Sequence, residues 1–248
     1  MQFGLTSTTF RQIRNLDKII AIAKKAGCTT IEWGGDIHVK SVETAKLVAE
    51  KCNGVLDINS YGGYYVVGSC KKEEWLKNCQ IASAMGARTI RVWLGKTGSA
   101  KTTAEQFEKM VADAREMCAV AREYGVIIAP ECHGGTYNDK TDAFLKFVEA
   151  LGEDNFKTYF QSIYRDLPYD LDRLERTIEY IDTIHISFSE QWRMQLFGRK
   201  DKKHIAKLLK KIKSLHFDGT ILLEYTYLGV PAFCVKCCEN LKSTWEKI

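Results

Sequence analysis

Short apolar segments alternate with longer amphipathic segments along the whole chain. The short segments are rich in β-branched and aromatic residues, which is typical of strands. The longer segments carry apolar residues three or four positions apart, which predicts helices with one buried face. The predicted strands are Gln2–Thr6, Thr29–Trp33, Val55–Ser60, Thr89–Leu94, Val126–Glu131, Thr158–Ile163, Thr183–Ser187 and Thr220–Tyr225. The predicted helices are Leu16–Ala26, Val42–Cys52, Glu73–Met85, Ala104–Tyr124, Thr141–Leu151, Tyr169–Ile181, Ile205–Leu215 and Ala232–Glu246.

The order of these elements predicts the fold class. Near-continuous apolar strands such as Ile221–Leu223 indicate a parallel sheet that is buried on both faces. Eight strand–helix units of this kind close into a barrel. An open doubly wound sheet would usually have a glycine-rich phosphate turn after its first strand, where this chain has Thr6-Ser7-Thr8-Thr9-Phe10. We therefore predict an α/β protein with one domain, a (β/α)8 TIM barrel over residues 1–248.

Composition and charge narrow the picture further. The 248 residues are 45% hydrophobic and 27% charged, as in ordinary globular proteins, and no apolar run of about 18 residues predicts a membrane span. Nine scattered cysteines suit a reducing compartment, so we expect a cytoplasmic protein with free thiols. The net charge of +5 comes mainly from residues 199–213, where lysines flank an apolar helical stripe. This pattern favours a solvated helix face over a nucleic-acid partner.

Ligand-capable side chains end four consecutive strands. Glu131, Gln161, His185 and Glu224 lie at the ends of predicted strands five to eight, where TIM barrels place their active sites. Two carboxylates buried together raise each other's pKa unless a cation compensates. Oxygen ligands with one imidazole suit Mn, Mg, Co or Zn. The pattern predicts a divalent metal ion there, and the alternative is structural salt bridges to a barrel arginine such as Arg91.

Other polar and aromatic residues in the predicted loops are candidates for substrate contacts. Each also has a simpler interpretation: a carboxylate can pair with a nearby cation, an aromatic ring can pack in the core, and a loop histidine or arginine can be solvated. The candidates for substrate binding are His133, Arg193, Glu32 and Tyr61, with His38 and Tyr64 as further loop aromatics.

Several motifs lie in the same order and on the same strands as in a known superfamily. They are Phe3-Gly4-Leu5-Thr6, Ile31-Glu32-Trp33, Glu131-Cys132-His133-Gly134-Gly135-Thr136, Ile184-His185-Ile186 and Leu222-Leu223-Glu224. The chain resembles the xylose isomerase-like TIM-barrel superfamily, in particular its sugar phosphate isomerase/epimerase group. The resemblance implies a metal ion held by Glu131, Gln161, His185 and Glu224. It also implies that Glu131 and Glu224 remove and return a carbon-bound proton beside a metal-stabilised enediolate.

One position departs from the pattern of that group. Ketose 3-epimerases of the superfamily have an aspartate where this chain has Gln161. An amide oxygen can still bind a metal ion, but the site loses one negative charge, so we expect weaker binding or a different ion.

The expected function is a divalent-metal-dependent isomerase or epimerase of a sugar or sugar phosphate. A polyol or keto-acid dehydratase and a catalytically silent sugar-binding barrel stay open as alternatives. A nuclease of the same superfamily is disfavoured, because its metal cluster needs histidines where this chain has Ser60-Tyr61 and Trp93-Leu94. The expected partner is a small molecule, with no nucleic acid or membrane. Barrels of this kind often form homo-oligomers, but no residue of the sequence indicates an interface.

Overall fold

The structure, a computed structural model, describes residues 1–162, 166–187, 189–190, 193–194, 199–226 and 229–248, and for residues 189–190, 193–194 and 199–201 the backbone only. Eight of its strands are parallel and form one sheet. They are β1 Gln2–Thr6, β2 Thr30–Gly34, β3 Asp57–Val67, β4 Thr89–Leu94, β5 Ile127–Pro130, β6 Thr158–Gln161, β7 Ile181–Ser187 and β10 Thr220–Glu224. The short strands β8 Ser189–Glu190 and β9 Arg193–Met194 pair antiparallel between β7 and β10.

The sheet curls into a nearly closed barrel. Its strand order is β5-β4-β3-β2-β1-β10-β7-β6, and the two outer strands approach each other through the isolated bridges Ile128–Phe156 and Glu131–Tyr159. Eight helices accompany the strands in the described part of the chain. They are α1 Leu16–Lys25, α2 Val42–Cys52, α3 Lys72–Met85, α4 Ala104–Glu123, α5 Thr141–Leu151, α6 Leu167–Thr177, α7 Arg199–Ser214 and α8 Pro231–Lys247. The predicted single-domain (β/α)8 TIM barrel is confirmed.

Local sequence signals explain most helix boundaries. Thr103 and Gln106 form a reciprocal capping box at the start of α4. Helices α3 and α5 end at Gly86 and Gly152, both in the left-handed conformation that glycine adopts without strain. Four residues of the apolar stripe predicted in α7, Ile205, Leu208, Leu209 and Ile212, are fully buried, and the fifth, Leu215, is partly buried just after the helix ends. In the described residues, no helix combines the length and apolar character needed to cross a membrane.

Three predicted boundaries were wrong by four residues or more. Strand β3 continues to Val67 because a register shift between Gly62 and Val66 lets the chain pass the Gly-Gly pair as an irregularity within the strand. Helix α7 begins at Arg199, six residues before the predicted start, because its first turn and a half is polar and carries no apolar signal. Helix α6 ends at Thr177, where a single 3-10 turn leads into β7.

A charged network closes the amino-terminal end of the barrel. The Asp182 carboxylate accepts hydrogen bonds from Arg88 at 2.6 Å, Thr89 at 2.9 Å and Thr183 at 2.8 Å. Asn59 donates to the Thr183 hydroxyl at 2.9 Å. Each buried polar group in this network therefore has a partner, as expected of a structural element.

Candidate metal centre

Five charged or titratable side chains converge at the carboxyl-terminal end of the barrel. Glu32 lies on β2, Arg91 on β4 and His185 on β7, while Glu131 directly follows β5 and Glu224 ends β10. None of the five is more than 3% exposed. The parallel strands bring them together because every strand ends at the same edge of the sheet.

The His185 ring lies at the centre of this group. Its Nδ1 is 3.4 Å from Glu131 Oε1 and 3.5 Å from Glu224 Oε2, and its Nε2 is 3.5 Å from Glu32 Oε2. None of these contacts has the geometry of a hydrogen bond, so both buried ring nitrogens lack a hydrogen-bond partner among the residues that the structure describes. Unpartnered buried polar atoms are rare in folded proteins and often indicate a missing ion or water.

Arg91 forms two ion pairs in the same group. Its Nε donates to Glu32 Oε1 at 3.0 Å, and its Nη1 donates to Glu131 Oε2. The guanidinium also lies 4.9 Å from the centre of the Tyr64 ring, a cation–π contact. The absence of a side chain at Gly62 leaves room for the guanidinium, since a Cβ there would lie 3.0 Å from Arg91 Nη2. Glu131 thus forms the predicted salt bridge to Arg91 through Oε2 and leaves Oε1 facing His185, whereas Glu224 forms no pair with an arginine among the described residues.

Charge coupling shifts the pKa values of these groups. Burial opposes ionisation of Glu32, but Arg91, His185 and Tyr159 together outweigh it and hold the Glu32 pKa at about 2. Burial likewise opposes ionisation of Glu131, and Arg91 again lowers the pKa. Burial disfavours the His185 imidazolium, yet Glu224 first, and then Glu131 and Glu32, raise its pKa well above the usual value. The surroundings of His185 therefore favour positive charge.

The residues present fit a divalent cation. Three carboxylates against one arginine leave two negative charges when His185 is neutral, and a divalent ion would balance them. One ligand atom each from Glu131, His185 and Glu224 lie within 4.8 Å of one another. Two ligand atoms about 2.1 Å from a common ion are separated by roughly 3.0–3.4 Å, close to the distances around Nδ1. The donor set of two carboxylates and one imidazole suits ions of borderline hardness.

Gln161 takes part in the same group as a hydrogen-bond donor. Its Nε2 donates to Glu224 Oε2 at 3.0 Å, so the amide nitrogen rather than the oxygen faces the other candidate ligands. Its role as a fourth ligand, through the amide oxygen, stays a prediction.

Tyr64 and Trp93 lie next to Arg91, and His133 packs against Trp93; these three residues form the proposed entrance to the site. Trp93 packs edge-on against His133, with ring centres 4.8 Å apart, and lies 6.2 Å from the Tyr64 ring. His133 is exposed on the loop after β5, and its Nδ1 lies 2.8 Å from the Gly134 carbonyl oxygen. Tyr64 has a φ of 56°, an uncommon conformation for a residue with a side chain. His133 thus contacts Trp93 and is still exposed to solvent.

Comparison with known proteins agrees with this architecture. The sequence profile of the xylose isomerase-like TIM barrel matches residues 20–233. The chain belongs to this family. No curated protein matches its sequence.

Solved structures of the family share the fold at low sequence identity. A D-tagatose 3-epimerase-like protein matches with a TM-score of 0.80 and 17% identity, over 100% of this chain and 98% of its own. An L-ribulose 3-epimerase matches with a TM-score of 0.77 and 15% identity, over 99% and 96%. The probable 3-DHS dehydratase involved in petrobactin synthesis from Bacillus anthracis matches with a TM-score of 0.75 and 16% identity, over 99% and 98%.

Within the family fold, the predicted substrate contacts fall into different environments. Tyr61 is 4% exposed and packs in the core, and its hydroxyl donates to the Val39 carbonyl. His38 lies between the Ser7 hydroxyl and the Ile13 carbonyl, so a core role explains it as well. The side chain of Arg193 lies outside the described residues. For Tyr61 and His38 the structure thus favours the simpler interpretation.

Glu32 is fully buried and has partners on both oxygens. Besides Arg91, it accepts hydrogen bonds from Ser60 at 3.0 Å and Tyr159 at 2.9 Å. The sequence interpretation in which it pairs with a cation is confirmed. Ser60, Tyr159 and Trp93 were missed as members of the site. These three residues reach the site only because of the register of their strands. A single polar or aromatic residue in an apolar strand does not reveal that register in the sequence.

Proposed function

We propose that this protein is a divalent-metal-dependent isomerase or epimerase of a sugar or sugar phosphate. The observation that carries the proposal is the buried group of Glu131, His185 and Glu224, whose ligand atoms lie within 4.8 Å at the catalytic end of the barrel. The names of the similar solved structures, which include L-ribulose 3-epimerase and D-psicose 3-epimerase, support the substrate class.

The residues of the site have different roles in the proposed reaction. A divalent ion held by Glu131, His185 and Glu224 would act as a Lewis acid on neighbouring substrate oxygens and lower the cost of removing the adjacent carbon-bound proton. Arg91 occupies Glu131 Oε2 and keeps this carboxylate ionised. Glu224 Oε1 makes no hydrogen bond in the described part of the chain, so Glu224 is the better placed of the two to accept a proton.

The entrance supports binding of a small polar ring. Trp93 and Tyr64 offer flat apolar surfaces that suit the CH face of a sugar, and His133 offers a polar atom at the rim. Arg193 remains a candidate for a phosphate group by its place after β7 in the sequence.

A deuterium-exchange assay tests the proposal. Ketoses and their phosphates are incubated with the Mn²⁺-loaded protein in D₂O, and NMR follows loss of the proton beside the carbonyl. We expect exchange with the wild type and with Asp182→Asn, and at least about a 100-fold slower rate in Glu224→Gln, because general-base catalysis contributes roughly 10²–10⁴-fold. Sugar binding that ignores chelators, without exchange, would contradict the proposal and favour the sugar-binding barrel.

Dehydration is the second candidate function. The similarity to the probable 3-DHS dehydratase favours it, since a dehydratase begins with the same removal of a proton beside a carbonyl. The same assay separates the two. A dehydratase would release water and form a conjugated product that absorbs ultraviolet light, whereas an epimerase would return the proton.

A further inference from the structure

The two nitrogens of the His185 ring face different surroundings. Nδ1 lies between Glu131 Oε1 and Glu224 Oε2, at 3.4 and 3.5 Å. Nε2 lies 3.5 Å from Glu32 Oε2. In the neutral ring one nitrogen carries the proton and the other a lone pair, and only the lone pair can bind a cation. Which nitrogen is protonated therefore decides whether His185 can act with Glu131 and Glu224.

Glu32 is held in one position by three donors from three strands. Arg91 Nε lies 3.0 Å from its Oε1, while the Ser60 and Tyr159 hydroxyls lie 3.0 and 2.9 Å from its Oε2. His185 Nε2 is the next polar atom around that same oxygen. An ionised carboxylate offers no proton, so Glu32 is compatible with an N–H on Nε2. A cation held by Glu131 and Glu224 needs the lone pair of Nδ1, which leaves the proton of the neutral ring on Nε2.

Tyr159 also restrains the ring itself. It packs edge-on against His185, with centres 4.8 Å apart and planes at 78°, and it is fully buried. The same side chain thus contacts the carboxylate through its hydroxyl and the imidazole through its ring. A rotation that exchanged Nδ1 and Nε2 would have to displace this packing.

We infer that Glu32 is a positioning residue that keeps the His185 proton on Nε2 and so directs the Nδ1 lone pair toward Glu131 and Glu224. The inference rests on the proposed function, because the direction of the lone pair matters only where a cation binds. Metal-binding histidines generally donate their second ring N–H to a carboxylate, carbonyl or water, and loss of that partner typically costs 10–100-fold in metal affinity. This assigns Glu32 a role that needs no contact with substrate, in agreement with its complete burial.

Metal titration of matched variants tests the inference. Zn²⁺ and Mn²⁺ affinities are measured by competition with a chromophoric chelator for the wild type, Glu32→Gln and Asp182→Asn. Asp182 is a control because it is another buried carboxylate paired with an arginine, at the opposite end of the barrel. We expect a dissociation constant about 10–100-fold higher for Glu32→Gln and no change for Asp182→Asn. Equal affinity of the wild type and Glu32→Gln would overturn the inference and leave the proposed function intact.

A spectroscopic measurement on the unmodified chain gives an independent result. In ¹⁵N-labelled, Zn²⁺-loaded protein, long-range ¹H–¹⁵N correlations identify the protonated nitrogen of each of the five histidines. The His185 signals are those absent from His185→Asn. We expect a protonated Nε2 and a metal-shifted Nδ1, and the reverse pattern would overturn the inference even if Glu32→Gln does not fold. Failure of the wild type to bind either ion would overturn the inference together with the metal-dependent function.

Discussion

The two ends of the barrel both contain buried charge, but only one end is balanced. At the amino-terminal end, Asp182 has one arginine and two hydroxyl donors around its carboxylate. At the carboxyl-terminal end, Arg91 pairs with Glu32 and Glu131, while Glu224 has no arginine partner among the described residues. Within the described part of the chain, the His185 ring among them has no hydrogen-bond partner on either nitrogen. The same fold thus builds a satisfied network at one end and an incomplete one at the other.

This difference separates a stabilising element from a site prepared for a ligand. A balanced buried network has little to gain from another ion, because every acceptor already has its donor. Three buried carboxylates beside a single arginine keep a net negative charge. The arginine offsets only part of the free-energy cost of removing that charge from water. We expect variants at the two ends to respond differently in stability and in metal affinity.

The largest effect on stability is expected from Arg91→Met. The change leaves Glu32 and Glu131 buried without their cation, and breaking such a pair costs about 3–5 kcal/mol. Arg88→Met is the matched control, because Arg88 is 58% exposed and its pair with Asp182 should contribute at most about 1 kcal/mol. Urea unfolding measures both. Added Mn²⁺ should recover more stability in Arg91→Met than in the control, and equal losses in the two variants would contradict the comparison.

A moderate effect is expected from Asp182→Asn. The substitution weakens the Arg88 pair but leaves the hydroxyl contacts available, so unfolding free energy should fall by about 1–3 kcal/mol. Metal affinity should not change, because the residue lies at the other end of the barrel. Thermal unfolding and chelator competition measure the two quantities. A parallel loss of metal affinity would show that the two networks are coupled.

Gln161→Asp is expected to increase metal affinity at the carboxyl-terminal end. It adds a negative charge beside Glu224, and a unit charge about 4 Å from another is worth roughly 4 kcal/mol at an effective dielectric constant of 20 before desolvation. We expect metal affinity to rise at least about tenfold while the metal-free protein becomes less stable. Gln161→Asn, which adds no charge, is the control. Unchanged affinity in Gln161→Asp would argue against a cation next to this side chain.

The smallest effect is expected from His133→Ala. His133 touches the rim aromatic Trp93 and none of the candidate metal ligands. We expect KM for the best substrate of the exchange assay to rise by up to about tenfold, the value of one hydrogen bond of roughly 1.4 kcal/mol. The metal dissociation constant should stay at its wild-type value. A fall in metal affinity would place His133 in the metal site instead.

The sequence was sufficient for the architecture and for the centre of the site. The alternation of short apolar segments with amphipathic segments predicted eight strands and eight helices, and the strand ends predicted that Glu131, His185 and Glu224 would meet. Strand position alone did not indicate what Arg91 and Glu32 do, because a charged residue in an apolar strand can serve substrate, metal or another side chain. Only the interatomic distances in the structure distinguish these three roles. The pattern also does not tell which face of β3 carries Tyr61, whose ring lies in the core.

The irregular part of β3 could not be predicted for a related reason. The Gly62-Gly63 pair is typical of a turn, yet the chain continues as a strand with Tyr64 at positive φ. The register shift brings Tyr64 over Arg91 and fixes one wall of the entrance. Tertiary contacts decide this conformation, so a local signal cannot.

The most direct test of the account is the metal content of protein purified without chelator. Mass spectrometry would compare the wild type with Glu224→Gln and with the control Asp182→Asn. The account predicts near-stoichiometric Mn, Co, Zn or Mg in the wild type and in Asp182→Asn, and almost none in Glu224→Gln. No bound ion in the wild type, even after soaking with each metal, would contradict it.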